Sequence, residues 1–205
     1  MLARFMATPK EKTVWRGVLM DVDIAAALPK MGKRGSMKGV RKVDAEGAIA
    51  YDQLSFDGDE QIKKDVIVRY LTGEQEARSR NIDAGIHEGN YKIAYKARLV
   101  IDSRPIFIYK LDPRRKADGL IKGELWVDGA TAAALRESGR LVRSPSIFFK
   151  KTEVVRRYEV VDDRSRLMEM TMQIDTRLVG PVEMQVKYAN YAPLTPAPAP
   201  TPVGQ

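Results

Sequence analysis

The chain has no cysteine and a single histidine, His87. Disulfides, zinc–thiolate centres and thiol catalysis are thereby excluded, and histidine-rich metal sites go with them. Any serine–histidine arrangement would rest on His87, whose neighbours Ile86, Glu88 and Gly89 offer no nucleophile signature; it reads as a loop residue. No apolar run reaches membrane-spanning length. Nor does the opening Met1 to Thr8 hold an apolar core of signal-peptide length before Pro9 and Lys10. Taken alone, the sequence points to the cytoplasm or to a leader lying outside it.

What is present fits one domain. A length of 205 residues, 44% apolar and 30% charged, suits an all-β unit. The expected domain covers 1–191, with a mobile tail at 192–205. There Pro193, Pro196, Pro198, Pro200 and Pro202 recur among small residues and favour an extended polyproline conformation. A formal charge of +8 and a pI near 9.6 favour contact with nucleic acid, an anionic membrane surface or an acidic protein, or else serve as solubilising surface.

Alternation carries the secondary-structure signal, because successive strand side chains point to opposite faces. Tyr91, Ile93, Tyr95, Ala97, Leu99 and Ile101 alternate with Lys92, Lys96 and Arg98. Met168, Met170, Met172, Ile174 and Leu178 alternate with Glu169, Gln173, Asp175 and Arg177, and Val14, Val18, Met20, Val22 and Ile24 with Asp21 and Asp23. Further strands are expected at 47–56, 105–111, 120–128, 134–143, 149–161 and 182–190. Turn chemistry at Asp102-Ser103, Asp118-Gly119, Asp128-Gly129 and Asp162-Asp163, and a corner at Gly180-Pro181, separates several of them. One segment has helical period: Ile62, Val66 and Tyr70 recur at four-residue spacing beside Ile67 and Leu71. Asp57 or Asp59 can cap this helix and Gly73 can end it, predicting a helix at about 59–72, with the charged Glu74 to Arg80 either extending it or fraying. The fold class is mainly β with minor α: an antiparallel curved sheet, or unclosed β-barrel, under a covering helix.

Three motifs invite chemical readings. Lys30, Lys33, Arg34, Lys38, Arg41 and Lys42 form a basic stretch without an acid among them. It lacks the order of a phosphate-cradling loop and the aromatics that stack nucleic-acid bases. It reads as a solvated hairpin or as a contact for anionic lipid head groups, and nucleic acid is not favoured. Asp21 and Asp23 point the same way on one strand, but nothing else converges on them as a general acid–base pair would need. Asp57-Gly58-Asp59-Glu60 resembles a fragment of a calcium loop without the later ligands, and reads better as a helix start. No catalytic residue, metal or cofactor is assigned.

The methionine face has another meaning. Met168, Met170 and Met172, with Met184 on the next strand, offer an unbranched, polarizable surface that adapts to irregular apolar ligands, although ordinary core uses methionine too. The expected ligand surface comprises Val18, Met20, Val22, Ile62, Val66, Tyr70, Ile93, Tyr95, Leu99, Met168, Met170, Met172, Ile174 and Met184. At roughly 0.8 kcal/mol per buried methylene, a long acyl chain gains on the order of 10 kcal/mol before ordering costs. An exposed charge contact contributes about 0–1 kcal/mol.

The stretches Leu120 to Asp128, Arg136 to Arg140, Ser144 to Phe148 and Ile174 to Gly180 resemble uncharacterised bacterial proteins related to the outer-membrane lipoprotein carriers, across about residues 47–190. The resemblance implies an unclosed antiparallel barrel with helices over its concave mouth, binding of lipoprotein acyl chains there, and a periplasmic or envelope location. No functional residue is carried over individually. Within these stretches Trp126 is expected to pack, and Arg136, Glu137 and Arg140 to form a cross-strand ion pair. The rival reading is an interaction module with a fully packed sheet, docking an acidic protein or anionic membrane through residues 30–42 or through the proline tail.

Overall fold

Ten strands hydrogen-bond edge to edge in the order β3-β2-β1-β10-β9-β8-β7-β6-β5-β4, every pair antiparallel. They are β1 (Val18–Leu28), β2 (Lys33–Val43), β3 (Ile49–Gly58), β4 (Tyr91–Ile101), β5 (Arg104–Pro113), β6 (Ile121–Asp128), β7 (Ala134–Leu141), β8 (Phe149–Val161), β9 (Arg164–Thr176) and β10 (Pro181–Pro193). This computed structural model describes residues 1–7, 15–79, 83–143, 149–176 and 180–194. A short helix α1 (Leu2–Ala7) precedes β1. A longer helix α2 runs from β3 toward β4 through Glu60–Ile62, Lys63–Val68 and Arg69–Ser79.

The topology is two meanders joined at β1 and β10. Strands β1 to β3 run outward to one edge; α2 carries the chain to the opposite edge, and β4 to β10 meander back. β3 and β4 are thus the two ends of an unclosed half-barrel. Two-residue hairpins close β4–β5 and β8–β9. Asp102, Ser103, Asp162 and Asp163 there all take positive φ, which short polar side chains tolerate. Register shifts in β1–β10, β2–β3, β4–β5, β6–β7 and β8–β9 mark bulges, which bend and twist a sheet.

One face holds the core. On β1, Val18, Met20, Val22, Ile24, Ala26 and Leu28 are all buried while the intervening residues are not. The register aligns with them Met37 and Val43 of β2, Tyr188, Val186 and Met184 of β10, and Met170 and Ile174 of β9. Across the sheet, Leu125, Tyr109 and Leu111 continue this inner face. Helix α1 adds Met1, Leu2 and Phe5 to the core, and Arg4 donates to the Ala130 carbonyl at 3.0 Å.

Every strand proposed from the sequence is present. The basic 30–42 stretch supplies a tenth: Lys33–Val43 is β2, entered through a 3₁₀ turn at Pro29–Met31 and Gly32. Two boundaries differ. Ala192 and Pro193, expected in the tail, instead extend β10 by pairing with Leu19 and Val18, and the Leu194 amide donates to Gly17; residues 195–205 lie outside the described residues, as do Val14, Ser144 to Phe148 and Leu178. Helix α2 does not stop at Gly73 but continues to Ser79.

Candidate functional site

Asp59 starts the roof over the inner face. Its carboxylate accepts from the amides of Gln61 and Ile62, and its own amide donates to Arg34 of β2 at 2.8 Å. The Asp57-to-Glu60 sequence is thus a helix cap, as its chemistry favours. Ile62 lies so close to Gly35 that a β-carbon added there would sit 2.9 Å from its Cγ2. Glycine at 35 therefore lets the helix seat on β2.

The wider, π-helical turn at Lys63–Val68 then changes the helix phase. The buried positions are Ile62, Ile67 and Leu71, spaced five and four apart, while Val66 and Tyr70 pack beside them half-buried. A stripe read at regular four-residue spacing places Val66 and Tyr70 one position too central.

Beyond Leu71, polar contacts hold α2 to the sheet. Glu74 accepts from Arg41 of β2 at 2.7 Å and from the Tyr51 hydroxyl of β3, and Gln75 donates to the Ile49 carbonyl at 3.2 Å. The hydroxyls of Tyr70 and Tyr188 are 3.4 Å apart, and the Arg41 guanidinium stands 5.6 Å from the Tyr188 ring centre. Nearby, Glu137 of β7 accepts from Arg156 and Tyr158 of β8, each at 2.9 Å.

Burial sets the ionisation of this cluster. Desolvation, with the Glu74 charge next, raises the Tyr51 hydroxyl well above its ordinary value; the same two causes push Tyr188 up to about 12. Desolvation also raises Tyr70 and Tyr158, so all four phenols are neutral at neutral pH. For Arg41 desolvation opposes the charge, but Glu74 and the surrounding phenol oxygens outweigh it and its pKa rises.

The proposed ligand surface divides accordingly. Val18, Met20, Val22, Ile62, Met170, Ile174 and Met184 are buried together, and Val66, Tyr70, Ile93 and Met172 pack half-buried against them. Three residues depart from the expectation. Tyr95 keeps inner register opposite Tyr109 but is 62% exposed near the sheet edge. The shift after Tyr95 places Leu99 opposite Ile106 on the outer face. Met168 falls in the β8–β9 register shift, between Leu167 paired to Tyr158 and Glu169 paired to Arg157, and is exposed. Alternation counted through a bulge assigns the wrong face.

The basic stretch is corrected more strongly. Arg41 points inward to Glu74; Lys42 pairs with Asp52 at 2.7 Å, Lys38 with Asp23 at 3.7 Å, and Lys33 with Gln61 and Asp59. Acids of β1, β3 and helix α2 with its cap, absent from the stretch itself, pair with it, leaving Lys30 and Arg34 without an ion pair among the described residues. Asp21 accepts from Asn190, so neither aspartate of that pair faces a shared site. His87 lies in the loop before β4 and contacts Asp83, Gly89 and Asn90. Of the expected Arg136–Glu137–Arg140 group, Arg136 lies over outer-face Trp126 with its guanidinium 5.2 Å from the ring centre, Glu137 turns inward, and Arg140 lies elsewhere. The inward turn of Glu74, Arg156 and Glu137 escaped the sequence reading because charged residues ordinarily face water.

No protein-family model matches the chain, and a comparison with curated proteins finds no match. Solved structures do resemble it. A DUF1329 family protein from Desulfovibrio piger superposes with a TM-score of 0.52 at 11% identity, covering 96% of this chain and 94% of the other. A putative outer membrane lipoprotein-sorting protein domain from Vibrio parahaemolyticus has a TM-score of 0.44 at 12% identity, covering 92% and 90%. A LolA superfamily protein from Nitrosomonas europaea has 0.44 at 13%, covering 96% and 94%. The first likeness shows a shared fold along nearly the whole of both chains.

Proposed function

We propose that this protein binds the acyl part of a lipid or lipoprotein, without chemical conversion, between the inner face of the half-barrel and helix α2, in the bacterial envelope. The observation that carries the reading is the build of the roof: a methionine-bearing apolar face with Met20, Met170, Met172 and Met184 is covered by a helix whose second half is held by polar contacts at Glu74 and Gln75. Polar contacts exchange readily for water, and methionines repack around irregular chains. Displacing α2 would expose a ligand surface without disturbing the strand ladder. The solved sorting-protein domain and its relatives support envelope lipid handling as the setting.

A second reading is favoured by one observation: the inner face of β1 is already buried throughout. It makes the sheet a closed core and the protein an interaction module. Its docking surface would not be the whole 30–42 stretch, most of whose charges are paired within the chain. Titrating delipidated protein with a fluorescent long-chain fatty acid separates the two. Saturable one-to-one uptake, weakened at least tenfold by Met172→Lys, is the expected result. Absence of uptake by the wild-type chain would leave the packed-sheet module.

A further inference from the structure

The sheet leaves β3 and β4 each unpaired on one side, and these two edges differ in the sign of their charge. β3 carries Asp52 and Asp57 and no cation; β4 carries Lys92, Lys96 and Arg98 and no acid. Both expose apolar side chains: Leu54 and Phe56 on β3, Tyr95, Leu99 and Val100 on β4. Asp57 forms no ion pair among the described residues, and Asp112, the cross-strand partner of Lys92, is already held by Lys122 at 3.0 Å. Charges and bulges on an edge strand ordinarily keep it from pairing with another sheet. Here they act selectively, because like charges oppose β3 on β3 and β4 on β4 while opposite charges favour β3 on β4.

Register is more demanding than charge. Each edge strand carries one residue more than its neighbour, at Gln53-Leu54 against Gly39 of β2 and at Lys96 in β4. Leu54 faces inward, its Cδ2 lying 2.7 Å from where a β-carbon on inner-face Gly39 would sit. A bulge reverses the facing of the residues beyond it. An antiparallel β3–β4 pair therefore sets inner on inner and outer on outer throughout only when the two bulges lie opposite each other. That register places Asp57 opposite Lys92 and Asp52 opposite Ala97 on the outer face, and Phe56 opposite Ile93 and Leu54 opposite Tyr95 on the inner. It uses nearly all of both strands, from Gly58 opposite Tyr91 to Ile49 opposite Val100. A slip of two residues sets outer Asp52 against inner Tyr95 one way, and inner Leu54 against outer Ala97 the other.

We propose that the acidic edge β3 of one copy of this chain pairs with the basic edge β4 of a second copy, continuing the antiparallel sheet from one half-barrel into the next. The contact gives the free backbone N–H and C=O groups of both edges ladder partners and covers Leu54, Phe56, Tyr95 and Val100. Because it joins two different surfaces, it closes into a ring where the rotation between copies allows and otherwise repeats into an array. It lies at the rim of the sheet and does not depend on acyl binding beneath α2.

Sedimentation velocity on the full chain, over a concentration series reaching about 1 mM, tests it. Wild type is expected to pass from monomer to dimer or larger species. Lys92→Glu and Asp57→Lys each set like charges face to face and should each weaken association about fivefold or more. Both positions are exposed, so the melting temperature of the monomer should hold. Mixing the two single variants pairs native edge with native edge and exchanged with exchanged, so association should return in the mixture alone. The chain has no cysteine, so disulfide trapping reads the register. Leu54→Cys and Tyr95→Cys in separate copies should crosslink on mild oxidation, and Leu54→Cys with outer-face Leu99→Cys should not. A chain that stays monomeric, association that charge reversal leaves unchanged or mixing fails to restore, or crosslinking that prefers Leu99→Cys overturns the proposal. So does a disulfide formed within a monomer carrying both Leu54→Cys and Tyr95→Cys, which would assign the matched edges to closure of one half-barrel on itself. Fatty-acid uptake beneath α2 is read separately, so either conclusion can fail alone.

Discussion

Strands β1 and β4 have the same length and the same alternating sequence pattern, and opposite fates. Both span 11 residues. Every second residue of β1 is buried, whereas on β4 only Tyr91 is fully buried and Tyr95, Leu99, Val100 and Ile101 are exposed. β1 lies inside the sheet, between β2 and β10, with α2 above it; β4 is an edge, paired on one side only. Alternation identifies a strand, but neighbours and cover decide what its apolar side chains are worth.

The largest effect expected from that contrast is at Ile24, fully buried on β1. Ile24→Ala should cost about 3 kcal/mol in a denaturant titration, through lost burial and a residual cavity. Close to it comes Glu74→Ala, which strands the Arg41 charge in a site where that side chain is 11% exposed. A loss of about 3 kcal/mol is expected, together with faster amide exchange in Arg69–Ser79 than in β1. The opposite sign is expected at Gly73, inside α2 with no atom within 4 Å of an added β-carbon. Gly73→Ala should raise stability by about 0.5–1 kcal/mol. Leu99→Ala on β4 should change stability by less than about 0.5 kcal/mol, and a loss comparable to that of Ile24→Ala would break the comparison.

Acid sharpens it further. Lys96 of β4 bonds Glu124 of β6, and this bond, the largest cause, holds the Glu124 carboxyl below its ordinary value of about 4.5. Because the folded value is depressed, the contribution is complete above pH about 5 and is lost as pH falls through the ordinary value toward the folded one. Solvent screening keeps it small. Nothing titrates on the inner face of β1. Proton exchange at β4, corrected for intrinsic rate, should therefore quicken below pH about 4.5 relative to β1.

The sequence was legible where one physical rule acted locally. Period-two alternation located three strands and β-branched or aromatic composition six more, Asp59 capped the helix that its flanking residues announce, and paired polar residues marked both two-residue hairpins. It was illegible where partners come from afar. Val66 and Tyr70 were displaced by a π-turn, Leu99 and Met168 by bulges, and Arg41 looked like solvated charge until Glu74 met it from another element. Lys122 and Arg140 are separated in sequence by a turn and most of two strands, and only the β6–β7 register makes them neighbours.

By itself, then, the sequence determined a mainly antiparallel sheet with one helix, no thiol chemistry, and an apolar methionine-bearing face, because side-chain period and residue chemistry are properties of short segments. The tertiary structure alone decided which strands are edges and that α2 is held by a buried charge network. Those outcomes depend on register, bulges and long-range pairing, which no local pattern encodes.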